Sequence, residues 1–173
     1  MKVSLVGHSQ IPQQLEVAGT ETRIFRAPGG RADSFYSDDR LRAVLEWKHD
    51  LCILWVGSND IAEGMKPQEL TQTIKDIIRN IERDCGAIVC LCLIEPRTRA
   101  GDRPISATNY KKVQQSVNSK LKRTLHNQVI HFNTAFYVET LNSGGVHWTS
   151  EGRERVDNKL VTVIKGHKEI FDS

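Results

Sequence analysis

Two stretches of this chain are apolar almost without a break: Leu51-Cys52-Ile53-Leu54-Trp55-Val56 and Ala87-Ile88-Val89-Cys90-Leu91-Cys92-Leu93-Ile94. A strand with one wet face alternates between apolar and polar residues, so a strand that does not alternate must be covered on both faces. Lys2–Val6, Thr22–Arg26 and Gln128–Phe132 supply three shorter strand candidates, the first two closing on glycine turns. Helical patterns lie between them. Asp39–Trp47 is one, and Pro67–Arg83 carries Leu70, Ile74, Ile77, Ile78 and Ile81 at helical spacing. Thr108–Leu125 and Ser150–Ile164 follow, the last with Val156, Leu160, Val161 and Ile164 on one stripe. Pro67 suits a first helical turn and Ser150 an N-cap. Five strands alternating with helices predict a parallel sheet between two helical layers, and in such sheets ligands gather at the carboxyl ends of the strands.

The 173 residues, 39% hydrophobic and 26% charged, suffice for one core without disulfides or structural metal. No repeat, low-complexity tract or linker divides them, so residues 1–173 are expected to form a single domain. The four cysteines, Cys52, Cys85, Cys90 and Cys92, lie in or beside apolar runs with no CxxC pair, which predicts reduced core thiols. His49, His126, His131 and His167 lack metal-like spacing, so neither metal nor cofactor is expected. Val3–Val6 is too brief for a signal peptide, and no apolar run approaches the ~18 residues that span a bilayer. A cytoplasmic chain, or an intracellular domain of a longer protein, is the corresponding expectation. A net charge of +3 does not by itself indicate a nucleic-acid partner, and Lys111, Lys112, Lys120, Lys122 and Arg123 read as a solvated helix face.

Chemistry-bearing residues follow the strands. Gly7-His8-Ser9 comes after the first, Pro28-Gly29-Gly30-Arg31 after the second, and Gly57-Ser58-Asn59-Asp60 after the third; Gly144-Gly145-Val146-His147-Trp148-Thr149 precedes the last helix. A parallel sheet sets the first three on one edge, and the last can join them. Acyl transfer needs a hydroxyl nucleophile, a nitrogen base, and donors aimed at the oxygen that becomes negative. Ser9 can attack, His147 can take its proton, and the N–H groups of Ser9 and Gly30 with the Asn59 amide can form an oxyanion hole. His8, Gly29, Arg31, Asp60 and Arg97 are candidates for the substrate edge, together with Arg99 and Arg103 in the longest polar loop.

On these four blocks the chain resembles the SGNH (GDSL-like) hydrolases, named for Ser, Gly, Asn and His. Val-Gly-His-Ser is similar to the first block, Pro-Gly-Gly-Arg to the second, Gly57-Ser58-Asn59-Asp60 to the Gly-x-Asn-Asp third, and Val146-His147-Trp148-Thr149-Ser150-Glu151-Gly152 to the last. The resemblance spans residues 3 to 154. It implies a flavodoxin-like α/β/α sandwich around a five-stranded parallel sheet, and hydrolysis of esters or thioesters of small molecules or lipids. A weaker likeness is to the compact esterase modules of some retrotransposon-encoded proteins.

Two positions depart from the family. His8 stands where the family usually has Asp, which is outside the reacting set. Gly144 stands where an Asp three residues before the histidine commonly orients the imidazole. Ser143 or a backbone carbonyl of residues 142–144 would have to take that role. The expectation is a Ser–His dyad, slower than a full triad, whose activity rises with pH as the imidazole loses its proton. The same residues would serve a sugar O-acetyl esterase. The reading from a different class is a catalytically weakened module of this fold that binds RNA or protein, prompted by Gly144 and the basic helix.

Overall fold

The structure is a computed structural model that describes residues 1–97, 105–132 and 147–173. Five strands, β1 (Lys2–Gly7), β2 (Glu21–Arg26), β3 (Leu51–Trp55), β4 (Ile88–Cys92) and β5 (Val129–Ile130), form one sheet in the order β2-β1-β3-β4-β5, with every neighbour parallel. The helices are α1 (Asp39–Glu46), α2 (Ser58–Ala62), α3 (Pro67–Cys85), α4 (Ala107–Leu125) and α5 (Ser150–Asp172).

Strand alternation divides the core in two. Val6, Cys52, Leu54, Val89 and Leu91 face α1, α3 and α4, meeting Leu41, Val44, Ile74, Ile77, Val117 and Leu121. Val3, Leu5, Leu51, Ile53, Trp55, Cys90 and Cys92 face the other way, against Val156, Leu160 and Ile164 of α5 and Ile11 and Val17 of the loop after β1. This is the three-layer α/β/α sandwich expected. All four cysteines are buried and free, and burial pushes the Cys52 thiol up to about 12 and that of Cys90 to about 11, so both stay protonated at neutral pH.

Several boundaries differ from the pattern for local reasons. β4 stops at Cys92, two residues before the apolar run ends; the Leu93 N–H still donates to the Ile130 carbonyl at 3.0 Å, and Asn118 takes over at Ile94. Its Oδ1 accepts the Ile94 N–H at 2.9 Å and its amide donates to the Ile94 carbonyl at 2.9 Å, so Leu93 and Ile94 are buried without continuing the strand. The N-cap of α5 is Thr149, whose hydroxyl accepts the Gly152 N–H at 3.0 Å, and Ser150 is the first helical residue. α5 runs on to Asp172 through exposed Ile170 and Phe171, beyond any core-facing stripe. A 3-10 helix at Ala32–Ser37 and the short α2 carry too little periodicity to be read from sequence. Among the described residues no helix is long and apolar enough to cross a membrane.

Candidate active site

The carboxyl ends of β1, β2 and β3 bring the first three blocks together. β1 lies between β2 and β3, with Gly7 paired to both Arg26 and Trp55. The chain then turns sharply: the His8 N–H donates to the Trp55 carbonyl at 3.2 Å and the Ile11 N–H to the His8 carbonyl at 3.2 Å. Ser9 stands on this turn, half-buried, and among the described residues neither its hydroxyl nor its backbone N–H has a hydrogen-bond partner. Two arginines brace the turn. Arg26 donates through Nη2 to the Ser9 carbonyl (3.2 Å) and through Nε to that of Ile11 (3.0 Å), while Arg153 of α5 donates through Nη1 to that of Gln10.

Asn59 is fixed more tightly. Gly57, at φ +114°, lets the chain leave β3 and enter α2, and Asn59 is the second residue of that helix, 7% exposed. Its Oδ1 accepts from Arg97 Nη2 at 2.9 Å and its Nδ2 donates to the Gly30 carbonyl at 2.9 Å. Those two bonds decide which end of the amide is which, and they leave the second Nδ2 hydrogen for a further acceptor.

Gly30 differs from expectation. Its N–H, assigned from sequence to the oxyanion hole, donates to the Ala27 carbonyl at 2.7 Å. The cause is the turn Ala27-Pro28-Gly29-Gly30, with proline second and Gly29 third at φ +74°, a combination that closes on the fourth residue's N–H. Gly30 therefore meets the site through its carbonyl, on Asn59.

The substrate-edge candidates are corrected in the same way, because most are tied inward. Asp60 is 1% exposed and accepts the N–H groups of Ala32 (2.8 Å) and Asp33 (3.2 Å), fastening the second block to the third. Burial raises its pKa while those two N–H bonds pull it back. Arg97, 9% exposed, donates through Nη2 to Asn59 and to Ser58 Oγ at 3.1 Å, with its guanidinium 5.3 Å from the Tyr110 ring centroid. His8 is buried. Its Nδ1 accepts the Gln10 N–H at 3.2 Å, which leaves the proton on Nε2, 3.4 Å from Ser58 Oγ and 3.7 Å from Glu95 Oε1. Burial lowers the His8 pKa, and the Glu95 carboxylate offsets part of that. Arg31 lies at the surface paired with Asp33, and Gly29 occupies its turn with open space around it.

Sequence reasoning missed the residues beneath this edge. Glu95, 1% exposed, accepts the Trp55 indole N–H at 2.9 Å, and its carbonyl accepts the Tyr110 hydroxyl at 2.8 Å. The available signal was a carboxylate directly after a fully apolar strand, where burial requires partners.

His147 is exposed and lies within electrostatic range of His8, whose pKa it lowers slightly. The adjacent Trp148 places its ring 6.2 Å from that of Trp55. Trp148 thus packs at the end of β3, with no hydrogen bond between Ser9 and His147 among the described residues. Ser143, Gly144, Arg99 and Arg103 lie outside the described residues, as does any carbonyl of residues 142–144.

Two cavities open here. One, of about 600 Å³, has Ser9 in its wall with Arg26, Arg153 and Asp157. The other, of about 550 Å³, lies beyond Arg97 between the end of β4 and α4, floored by Leu93, Ile94 and Phe132. Among the described residues no group of three His, Cys, Asp or Glu side chains could hold a metal ion.

The chain matches known proteins in family and in fold. The model of the GDSL-like lipase/acylhydrolase family matches residues 6–155. Among solved structures the chain is similar to a member of the lipolytic G-D-S-L family from Veillonella parvula, at 18% identity over 95% of this chain and 98% of that one, TM-score 0.74. It is similar also to a lipase/acylhydrolase from Enterococcus faecalis (17%, 96% and 96%, 0.70) and to the psychrotrophic esterase EstA from Pseudoalteromonas sp. (14%, 97% and 98%, 0.69). At these identities the likeness shows the fold. No curated protein matches the sequence, and the resemblance to retrotransposon-encoded modules gains no support from the relatives found. With 150 consecutive positions matched and the five-stranded parallel sheet shared, the chain belongs to the GDSL-like lipase/acylhydrolase family.

Proposed function

We propose that the chain hydrolyses carboxylic esters through an acyl-enzyme on Ser9, with His147 as general base. In the first step the imidazole takes the hydroxyl proton as Ser9 Oγ attacks the ester carbonyl carbon. The carbonyl oxygen becomes an oxyanion received by the Ser9 N–H and the second Nδ2 hydrogen of Asn59. Collapse expels the alcohol, which receives the proton from His147, and water then repeats the sequence to release the acid. The observation that carries this reading is the orientation of Asn59: Arg97 and Gly30 hold its amide so that one N–H is left over, on the sheet edge where the Ser9 hydroxyl and N–H also have no partner among the described residues. The lack of a Ser9–His147 bond is compatible with it, since catalytic hydrogen bonds often tighten only once substrate is bound. Gly30 takes part through its carbonyl, as an anchor for Asn59.

A fluorophosphonate probe tests the assignment, and a phosphonate is the inhibitor in the EstA structure. Labelling is expected on the peptide containing Ser9 and is abolished in Ser9→Ala. Label on another residue, or none on folded protein, would overturn it. The alternative of a weakened RNA- or protein-binding module gains nothing from the family match.

Arg97 acts through Asn59 in this reading. Its charge on Oδ1 both fixes the amide and polarises it, making Nδ2 a better donor. Arg97→Met should lower kcat on p-nitrophenyl acetate by roughly 30-fold, less than the ~10²–10³-fold cost of losing an oxyanion donor outright, with little change in KM. Arg97→Lys should recover part of the loss. Equal losses in kcat and thermal stability for both variants would mark Arg97 as a packing residue instead.

A further inference from the structure

We infer that the cavity beside Ser9 is a subsite for a carboxylate carried by the ester itself, held by Arg26 with Arg153 behind it. This rests on Ser9 as the nucleophile for its place in catalysis, though not for anion binding. The cavity, about 600 Å³, is walled by Ser9, Ile11, Gln13, Arg26, Arg153 and Asp157.

Among the described residues the charges on its wall do not cancel. Arg153 is paired: its Nε donates to Asp157 Oδ1 at 2.9 Å, and its Nη2 stands 2.8 Å from the same oxygen. Arg26 has no carboxylate within ion-pair distance among the described residues; its partners are the carbonyls of Ser9 and Ile11. Two guanidinium groups and one carboxylate therefore leave a single positive charge beside the candidate nucleophile. The two cations also disfavour each other, since Arg26 adds to the lowering that burial imposes on Arg153. Bracing three successive carbonyls requires donors, which a neutral amide would supply without that repulsion. The second cation is explained by a visiting anion.

Geometry adds direction. The carbonyl bonds clamp the Arg26 guanidinium against the loop, so its remaining N–H groups are preorganised, and the side chain loses little freedom on binding. Arg153 itself belongs to the amino-terminal turns of α5, where the helix carries partial positive charge. One uncompensated charge favours a monoanion, and Asp157 on the wall repels a second negative charge. A carboxylate satisfies both conditions, on either the acyl or the alcohol part of the ester.

Paired substrates of equal size test this. On the acyl side, p-nitrophenyl hydrogen succinate is compared with p-nitrophenyl butyrate; on the alcohol side, 4-acetoxybenzoate with 4-acetoxybenzamide. In at least one pair the anionic member should have the higher kcat/KM, a preference that shrinks with added salt. The ratio within that pair should fall about tenfold in Arg26→Gln and rise several-fold in Asp157→Asn, a charge-assisted hydrogen bond being worth about that much. Taking ratios cancels any general damage to the Ser9 loop. Ratios unmoved by both variants in both pairs overturn the subsite. Binding without turnover is read in Ser9→Ala, where monomethyl succinate should raise the melting temperature and dimethyl succinate should not, with the effect lost on adding Arg26→Gln. Stabilisation by the anion in a protein that cleaves no ester would reject the esterase reading and keep the subsite. Cleavage with no charge preference would do the reverse.

Discussion

Ser9→Ala and His147→Ala are each expected to cut kcat for p-nitrophenyl acetate by ~10³-fold or more, with the double variant no slower than either single one. A nucleophile and its base act as a unit: without the base the hydroxyl keeps its proton, and without the hydroxyl the base has nothing to activate. Their effects on the barrier therefore do not add. Both side chains stand at the surface of the site and support no core packing, Ser9 being half-buried and His147 exposed, so melting temperatures should stay close to wild type. Steady-state kinetics beside a thermal melt checks both halves. If the double variant loses the product of the two single losses, the two residues work independently and the dyad is wrong. The comparison is sharp for this chain, because position 144 holds glycine rather than an orienting carboxylate.

The second large effect is on the fold. Gly7→Ala should destabilise the protein by ~4 kcal/mol or more, lowering the melting temperature by about 10 °C for a chain of this length. A Cβ on residue 7 would lie 2.0 Å from the Trp55 carbonyl oxygen and 2.8 Å from its carbon, both backbone atoms that cannot swing aside. The same carbonyl accepts the His8 N–H, and the Gly7 carbonyl accepts the Ala27 N–H at 2.8 Å, so the strand end is pinned from both sides. Relief would require β1 to move away from β3, which carries Ser9 away from Asn59. Equilibrium unfolding in urea measures the loss. A stability within 1 kcal/mol of wild type would mean that the crossing of these strands is looser than described.

What sequence made legible follows from which forces are local. Covered strands have to be apolar throughout, so Leu51–Val56 and Ala87–Ile94 announced a parallel sheet, and Gly7 closing β1 and Gly57 beyond β3 marked where the chain leaves it. Sheet direction sets Ser9, Gly30 and Asn59 on one edge, because each follows the end of a neighbouring parallel strand, and it says nothing of His147. The orientation of individual N–H groups was hidden. Nothing in Pro28-Gly29-Gly30 says that the turn closes on itself and takes the Gly30 N–H with it. Polar residues after strand ends were read as facing a ligand, yet Asp60 and Arg97 face inward, because their partners Ala32, Asp33, Ser58 and Asn59 are set by tertiary contacts. The buried approach of His8 to Glu95 links residues that follow the ends of different strands, and no spacing rule reports such a meeting.

The bracing of the first turn has a bearing on the order of events during synthesis. Arg153 reaches back across 143 positions to the Gln10 carbonyl. A ribosome-bound chain thus presents the turn at Ser9 early, while α5, whose Arg153 steadies it, is still to be made. Contacts so distant in sequence form late and slowly. The turn that carries Ser9 should accordingly gain its full bracing only after α5 has been made and has docked.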